Sequence, residues 1–265
     1  MRQYAKDRIL GRGVRGMEIT WELLAAGAVA ALFAGVSKGG FGSGAAFAGA
    51  AILALVVPPG MALGIMLPLL MLIDLATLRP YWRQWGATET AVLILGGLPG
   101  VALGAAFYRV ADPDLLRLLI GAIALGFVGW QVALRSGMIR GAARPLPDWM
   151  GLLAGLVAGF TSFVSHAGGP PAAVYLLSRG LGKTGYQAST VALFFVLNIA
   201  KAVPYGFLGL FTVETLRIDL VLAPLALLGA WVGVRAHRAV PERAFFGITY
   251  LLLTVTGAKL VMDGL

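Results

Sequence analysis

The stretch SKGGFGSGAAFAG, residues 37–49, sets five glycines and one lysine, Lys38, between two strongly apolar runs. In soluble nucleotide-binding proteins a glycine-rich turn with a lysine cradles phosphate, but it needs a strand before the turn and a βαβ frame around it. What the stretch does here depends on its solvent. Hydrophobic residues make up 59% of the chain and charged ones 12%, against ~25% charged in an ordinary soluble domain. Runs free of Asp, Glu, Lys and Arg cover residues 39–73, 90–108, 118–134, 149–178 and 184–200. A hydrocarbon core of ~30 Å takes about 20 apolar helical residues, so the runs of 35 and 30 residues must fold back or break.

The chain therefore reads as an all-α, polytopic membrane protein of 8–10 helical segments. Helices are predicted near 19–37, 43–57, 60–79, 87–109, 114–134, 149–165, 170–180, 184–208, 217–235 and 242–262. The formal charge of +9 comes from basic residues scattered at segment ends, which is a topology signal rather than a nucleic-acid surface. No cysteine is present, so neither disulfides nor thiolate metal ligands enter. The basic tail 1–18 is expected to stay cytoplasmic, followed by a first span that is not cleaved as a signal peptide.

The polar segment 135–148, with three arginines and two prolines, divides the chain nearly in half. Sliding the first half by 124 residues places Leu32, Ala34 and Gly35 on Leu156, Ala158 and Gly159, Gly44 on Gly168, Asp74 on Asn198, and Pro80-Tyr81 on Pro204-Tyr205. Two transmembrane repeats, 19–134 and 149–265, joined by the loop 135–148, are the resulting expectation. Internal repeats with discontinuous helices meeting near the midplane are a common construction of secondary transporters. The positive-inside rule leaves parallel and inverted repeats both open.

An open glycine turn in hydrocarbon persists only where protein or water satisfies its backbone. The first break is thus expected to line a cavity, with Lys38 and the amides of a helix starting near Ser43 favouring an anion. The second is TSFVSHAGGPP, residues 161–171, which offers hydroxyls, an imidazole and two glycines. Candidate substrate-binding residues are Lys38, Gly39, Gly40, Gly42, Ser43 and Gly44 in the first half. Thr161, Ser162, Ser165, His166, Gly168 and Gly169 are their counterparts in the second. Asp74, Asn198 and Lys201, polar groups inside apolar spans, are candidates for coupling or gating. His237, in a basic segment, is expected to be solvated, and Gly97 and Gly121 are taken as glycines of ordinary spans.

At these residues the sequence resembles the TauE/SafE sulfite-exporter-like transporters, also described as the toluene-sulfonate-uptake permease family. The likeness rests on AGVSKGGFGSG with PPGMALGIMLPLLMLIDLATLRPYW, and on AGFTSFVSHAGGPPAAVYLLSRGLGKT followed by FFVLNIAKAVPY. The resemblance implies an inner-membrane carrier of small sulfur-containing or carboxylate anions such as sulfite, sulfonates and sulfoacetate. The combined expectation is a secondary transporter, not an enzyme, that works by alternating access around paired helix breaks. Its expected partners are a small anion, the lipid bilayer and a second copy of the chain, with no nucleic acid and no cofactor. The expected coupling ion is a proton on Asp74 or His166. A passive anion channel is the nearest rival. An intramembrane hydrolase using Ser165 and His166 is disfavoured, because neighbours on a helix do not face each other.

Overall fold

A computed structural model describes residues 20–41, 46–138, 144–239 and 242–265. The described secondary structure is helical: α1 Trp21–Val36, a π-helical turn Ser37–Phe41, α2 Ala48–Leu53, α3 Pro59–Leu78, α4 Ala87–Tyr108, α5 Pro113–Arg135, α6 Asp148–Ser165, α7 Gly169–Ser178, α8 Gly182–Phe207, α9 Val213–Ala239 and α10 Glu242–Gly264. Among the described residues seven helices are long and apolar enough to cross a membrane. Leu95, Leu103, Val203, Phe207 and Leu220 on these helices are exposed, as side chains facing lipid should be. Local signals set several starts: Thr20 Oγ1 accepts from the amide of Leu23 and Asp112 Oδ1 from that of Leu115, so each caps a helix. Prolines open α3, α5 and α7 at positions that need no amide donor.

The helices before and after residues 135–148 interleave. α1 packs on α9, α4 on α6, α5 on α10, and α3 meets α8 at the centre. Two of these contacts depend on glycine. A Cβ at Gly35 would lie 2.5 Å from Ala226 O and 2.7 Å from Ala230 N on α9, and one at Gly100 would lie 2.9 Å from Phe160 N on α6. With lipid on one side and no water to expel, such helices associate by close backbone approach, which only small residues permit. Gly97 and Gly121 lie in spanning helices, as expected; Gly121 also joins this class, since a Cβ there would meet Gly257 O of α10 at 2.7 Å, whereas one at Gly97 would first meet the side-chain end of Leu197 on α8, at 2.8 Å.

Candidate functional site

The first break keeps its backbone satisfied by borrowing side chains. α1 runs into the π-helical turn Ser37–Phe41, and three successive carbonyls of that turn each accept a bond from elsewhere. Gln187 Nε2 on α8 donates to Lys38 O at 2.5 Å, Tyr81 OH to Gly39 O at 2.7 Å, and His237 Nδ1 on α9 bonds Gly40 O at 2.7 Å. Buried carbonyls left without donors would each cost about 1–3 kcal/mol, so these three side chains hold the break in shape. His237 is therefore buried, not solvated, with its ring edge-on to Tyr81 at 5.6 Å.

The amine of Lys38 does not stand open to solvent. Its Nζ lies 2.5 Å from Asp74 Oδ1 on α3, and both side chains are buried. Asn198 Nδ2 on α8 donates to the other carboxyl oxygen at 2.5 Å, and the Phe194 ring lies 5.5 Å from the amine. A buried ion pair survives its desolvation cost only when further hydrogen bonds satisfy it; Asn198 supplies one. Gly39 and Gly40 turn towards α9, where a Cβ would strike the backbone of Ala230 or Gly233, so in this conformation their place is a packing one. Gly42, Ser43 and Gly44 lie outside the described residues, and the described helix α2 begins at Ala48.

At the second break α6 ends on His166 with φ +56°, in the left-handed region. Its amide bonds Ser162 O at 3.0 Å, and that of Ala167 bonds Thr161 O at 3.3 Å, which closes the helix end. A non-glycine residue there costs on the order of 1 kcal/mol, and the ring is held at both nitrogens: Nδ1 is 2.9 Å from Lys201 Nζ, and Nε2 is 3.3 Å from Leu63 O. Because Leu63 O only accepts, Nε2 carries the hydrogen and Nδ1 is an acceptor for Lys201. The remaining Lys201 donors go to Ser162 O at 3.1 Å and Ser162 Oγ at 3.0 Å. Thr161 and Ser165, expected to face a ligand, bond back to their own helix at Val157 O and Thr161 O. Gly169 opens α7 ahead of Pro170 and Pro171. Gly168 abuts α6 and Phe194: a Cβ would lie 2.6 Å from Ala158 O and 2.7 Å from the ring. Gly168→Ala should therefore lower stability by about 1–3 kcal/mol through overpacking, read as a lower melting temperature of the purified protein.

Corresponding contacts recur at the two breaks. Tyr205 OH donates to Phe163 O at 2.6 Å, and this pair lies 124 residues after Tyr81 and Gly39, with the same separation of 42. The position of Lys38 is taken by Ser162 and that of Lys201 by Thr77, whose hydroxyl bonds Ile73 O. Each half contributes one amine, one from a break and one from a long helix. Tyr81→Phe and Tyr205→Phe should each cost about 1–3 kcal/mol, since each leaves a buried carbonyl unpaired; melting curves of the two variants should shift alike.

A cavity of about 500 Å³ reaches the first break, and Gly40, Phe41, Gln187, His237, Arg135 and Lys183 are among the residues lining it. No group of three or more His, Cys, Asp or Glu fit to hold a metal occurs among the described residues.

Residues 27–260 match the sulfite exporter TauE/SafE family. The chain belongs to that family. One curated relative, the probable inner membrane transporter protein TsaS of Comamonas testosteroni, is 31% identical over 185 residues, covering 68% of this chain and 72% of the relative. No solved structure matches the chain. As a TauE/SafE member it is a multi-pass membrane transporter, and both breaks, together with Asp74, Asn198 and Lys201, fall within the matched residues.

Proposed function

We propose that this TauE/SafE protein is a proton-linked secondary transporter of a small sulfur-containing or organic anion, working by alternating access at the two breaks. The observation that carries this reading is the charge balance of the buried cluster: two amines, Lys38 and Lys201, with one carboxylate, Asp74, to which Lys38 is already paired. Among the described residues the hydrogen-bond partners of Lys201 are neutral: the two Ser162 oxygens and His166 Nδ1. With Lys201 protonated the cluster carries one net positive charge, which an anion cancels; with Lys201 unprotonated it is neutral and has little to offer an anion. Linkage then makes proton and anion binding reciprocally favourable, as a symporter requires. The imidazole beside Lys201 is a partner to which the proton can pass, since that contact works with either nitrogen as donor.

Asp74 in this scheme is a resident anion. It holds Lys38 while the substrate is absent and releases it when a substrate oxyanion approaches, so that each half has a state closed by its own contacts. The hydrolase alternative is poorly served, because the Ser165 hydroxyl bonds Thr161 O and the His166 ring bonds Lys201 and Leu63, leaving no nucleophile–base pair. We place the chain in a bacterial-type inner membrane with the N-terminus cytoplasmic, as single copies or a homo-oligomer, with the halves 19–134 and 149–265 as structural repeats. The test is flux into proteoliposomes of sulfite, sulfonates, sulfoacetate and small carboxylates. Net uptake should follow an imposed pH gradient, while counterflow at equal pH should be saturable. Conduction without counterflow would indicate a channel, and flux indifferent to the gradient would remove the proton.

A further inference from the structure

Two of the polar side chains that line the cavity of about 500 Å³, Gln187 and His237, each spend one atom on the first break. Gln187 Nε2 donates to Lys38 O and His237 Nδ1 to Gly40 O. Their other polar atoms, Gln187 Oε1 and His237 Nε2, are buried and have no hydrogen-bond partner among the described residues, although the residues are only 1% and 5% exposed. The first bonds fix what the second atoms can do. With its amide nitrogen committed to a carbonyl, Gln187 presents an acceptor; with hydrogen on Nδ1, neutral His237 also presents an acceptor at Nε2. Two buried acceptors without donors are costly, and protein interiors rarely leave them so.

Elsewhere the same cavity is cationic and apolar. Arg135 lies over the Tyr250 ring at 5.0 Å, and Lys183 Nζ donates to His237 O at 2.5 Å. Both line the cavity, as do Phe127 and Leu176, and no Asp or Glu is among its described lining residues. The volume is in the range of organic-ligand pockets and far exceeds what a bare inorganic oxyanion fills.

From this we infer an outer binding site, separate from the Lys38–Asp74–Lys201 cluster, for a small organic anion that also carries a hydroxyl or ammonium donor. Its negative group sits in the field of Arg135 and Lys183, its carbon skeleton lies along Phe127 and Leu176, and its donor reaches the acceptors at the break: a hydroxyl serves one of Gln187 Oε1 and His237 Nε2, an ammonium both. The site's floor is the break that bears Lys38, so occupation of the outer site bears on the carbonyls that hold that break. This selects among anions by their donor groups before the central cluster is reached. It rests on the transport reading only for the onward path; the binding itself does not.

The test uses the full chain in lipid nanodiscs and a pair of probes that differ in one hydroxyl, 2-hydroxyethanesulfonate and ethanesulfonate, titrated by calorimetry. Wild type should bind the hydroxylated probe about tenfold more tightly, as one added hydrogen bond to a buried acceptor allows. His237→Asn keeps a donor for Gly40 O and takes away the ring with its Nε2 acceptor; it should narrow the difference between the two affinities, with a cooperative melting transition showing that the variant is folded. Lys201→Met, which disables the central cluster, should retain the discrimination although transport is lost. Equal affinity of both probes for wild type would mean that water serves the two acceptors and would overturn the proposal. Discrimination that survives His237→Asn but vanishes in Lys201→Met would overturn it too, by placing the selective site at the centre.

Discussion

Lys201→Met is expected to abolish proton-driven anion uptake and to weaken anion binding by about 10- to 100-fold, the loss of one charge-assisted interaction of about 1.5–3 kcal/mol. Methionine keeps most of the volume of the buried stem, so the packing of α8 against α6 is retained. What goes is the amine that bonds Ser162 O, Ser162 Oγ and His166 Nδ1. The remaining titratable groups at the centre are then the Lys38–Asp74 pair, whose charges cancel, and His166. Binding in the variant should in consequence lose most of its pH dependence. A Lys201→Met protein with wild-type affinity and wild-type response to a pH gradient would show that the amine only braces the second break.

The second large effect is on stability. Asp74→Asn removes the carboxylate from a fully buried amine and leaves Lys38 facing Asn198, another amide, and the Phe194 ring. Breaking a buried pair from one side costs about 3–5 kcal/mol, because the surviving charge remains desolvated. Removing the partner as well should return much of that loss, so Lys38→Met combined with Asp74→Asn is expected to melt above Asp74→Asn alone. A double-mutant cycle on melting or denaturant curves gives the coupling; additive single losses would mean that the two groups do not interact in the folded protein. The double variant should fold yet fail to transport, which separates the pair's part in the fold from its part in the cycle.

The sequence was most legible where a polar residue interrupts a long apolar run. Lys38, Asp74, His166, Asn198 and Lys201 stand out for that reason, and the structure brings all five to one buried cluster. Their pairings were not legible, because Lys38 meets Asp74 only through the packing of the first break on α3, and a single chain's spacing carries no such distance. Pro80-Tyr81 and Pro204-Tyr205 served in the sequence only as matching helix ends. Their hydroxyls turn out to bond carbonyls in the two breaks, a role that recurs at the same spacing from Gly39 and Phe163.

His237 is buried rather than solvated for an identifiable reason. A segment that ends at 235, among basic residues, leaves the histidine in a loop; α9 instead continues to Ala239, and the additional turn brings His237 to Gly40. Gln187 carries no signal in the sequence, because a glutamine near the start of a helix reads as an ordinary polar surface residue, whereas α8 passes beside the π-helical turn and buries it. The glycines divide differently from their sequence context. Gly121 sits in an ordinary span yet is as closed to a side chain as Gly39 and Gly168, all three facing backbone, whereas a Cβ at Gly97 would first meet the movable end of Leu197.

The most direct measurement of the central claim is proton uptake on anion binding. A sulfonate keeps its charge over the neutral and alkaline range, so titrating one into purified protein in buffers of different ionisation enthalpy counts only protons bound by the protein. If Lys201 must be protonated to hold the anion, uptake should rise with pH from near zero towards about one proton per anion, and the rise should be absent in Lys201→Met. A sulfonate that binds wild type with no proton uptake at any pH in that range would contradict the claim that proton and anion share this cluster.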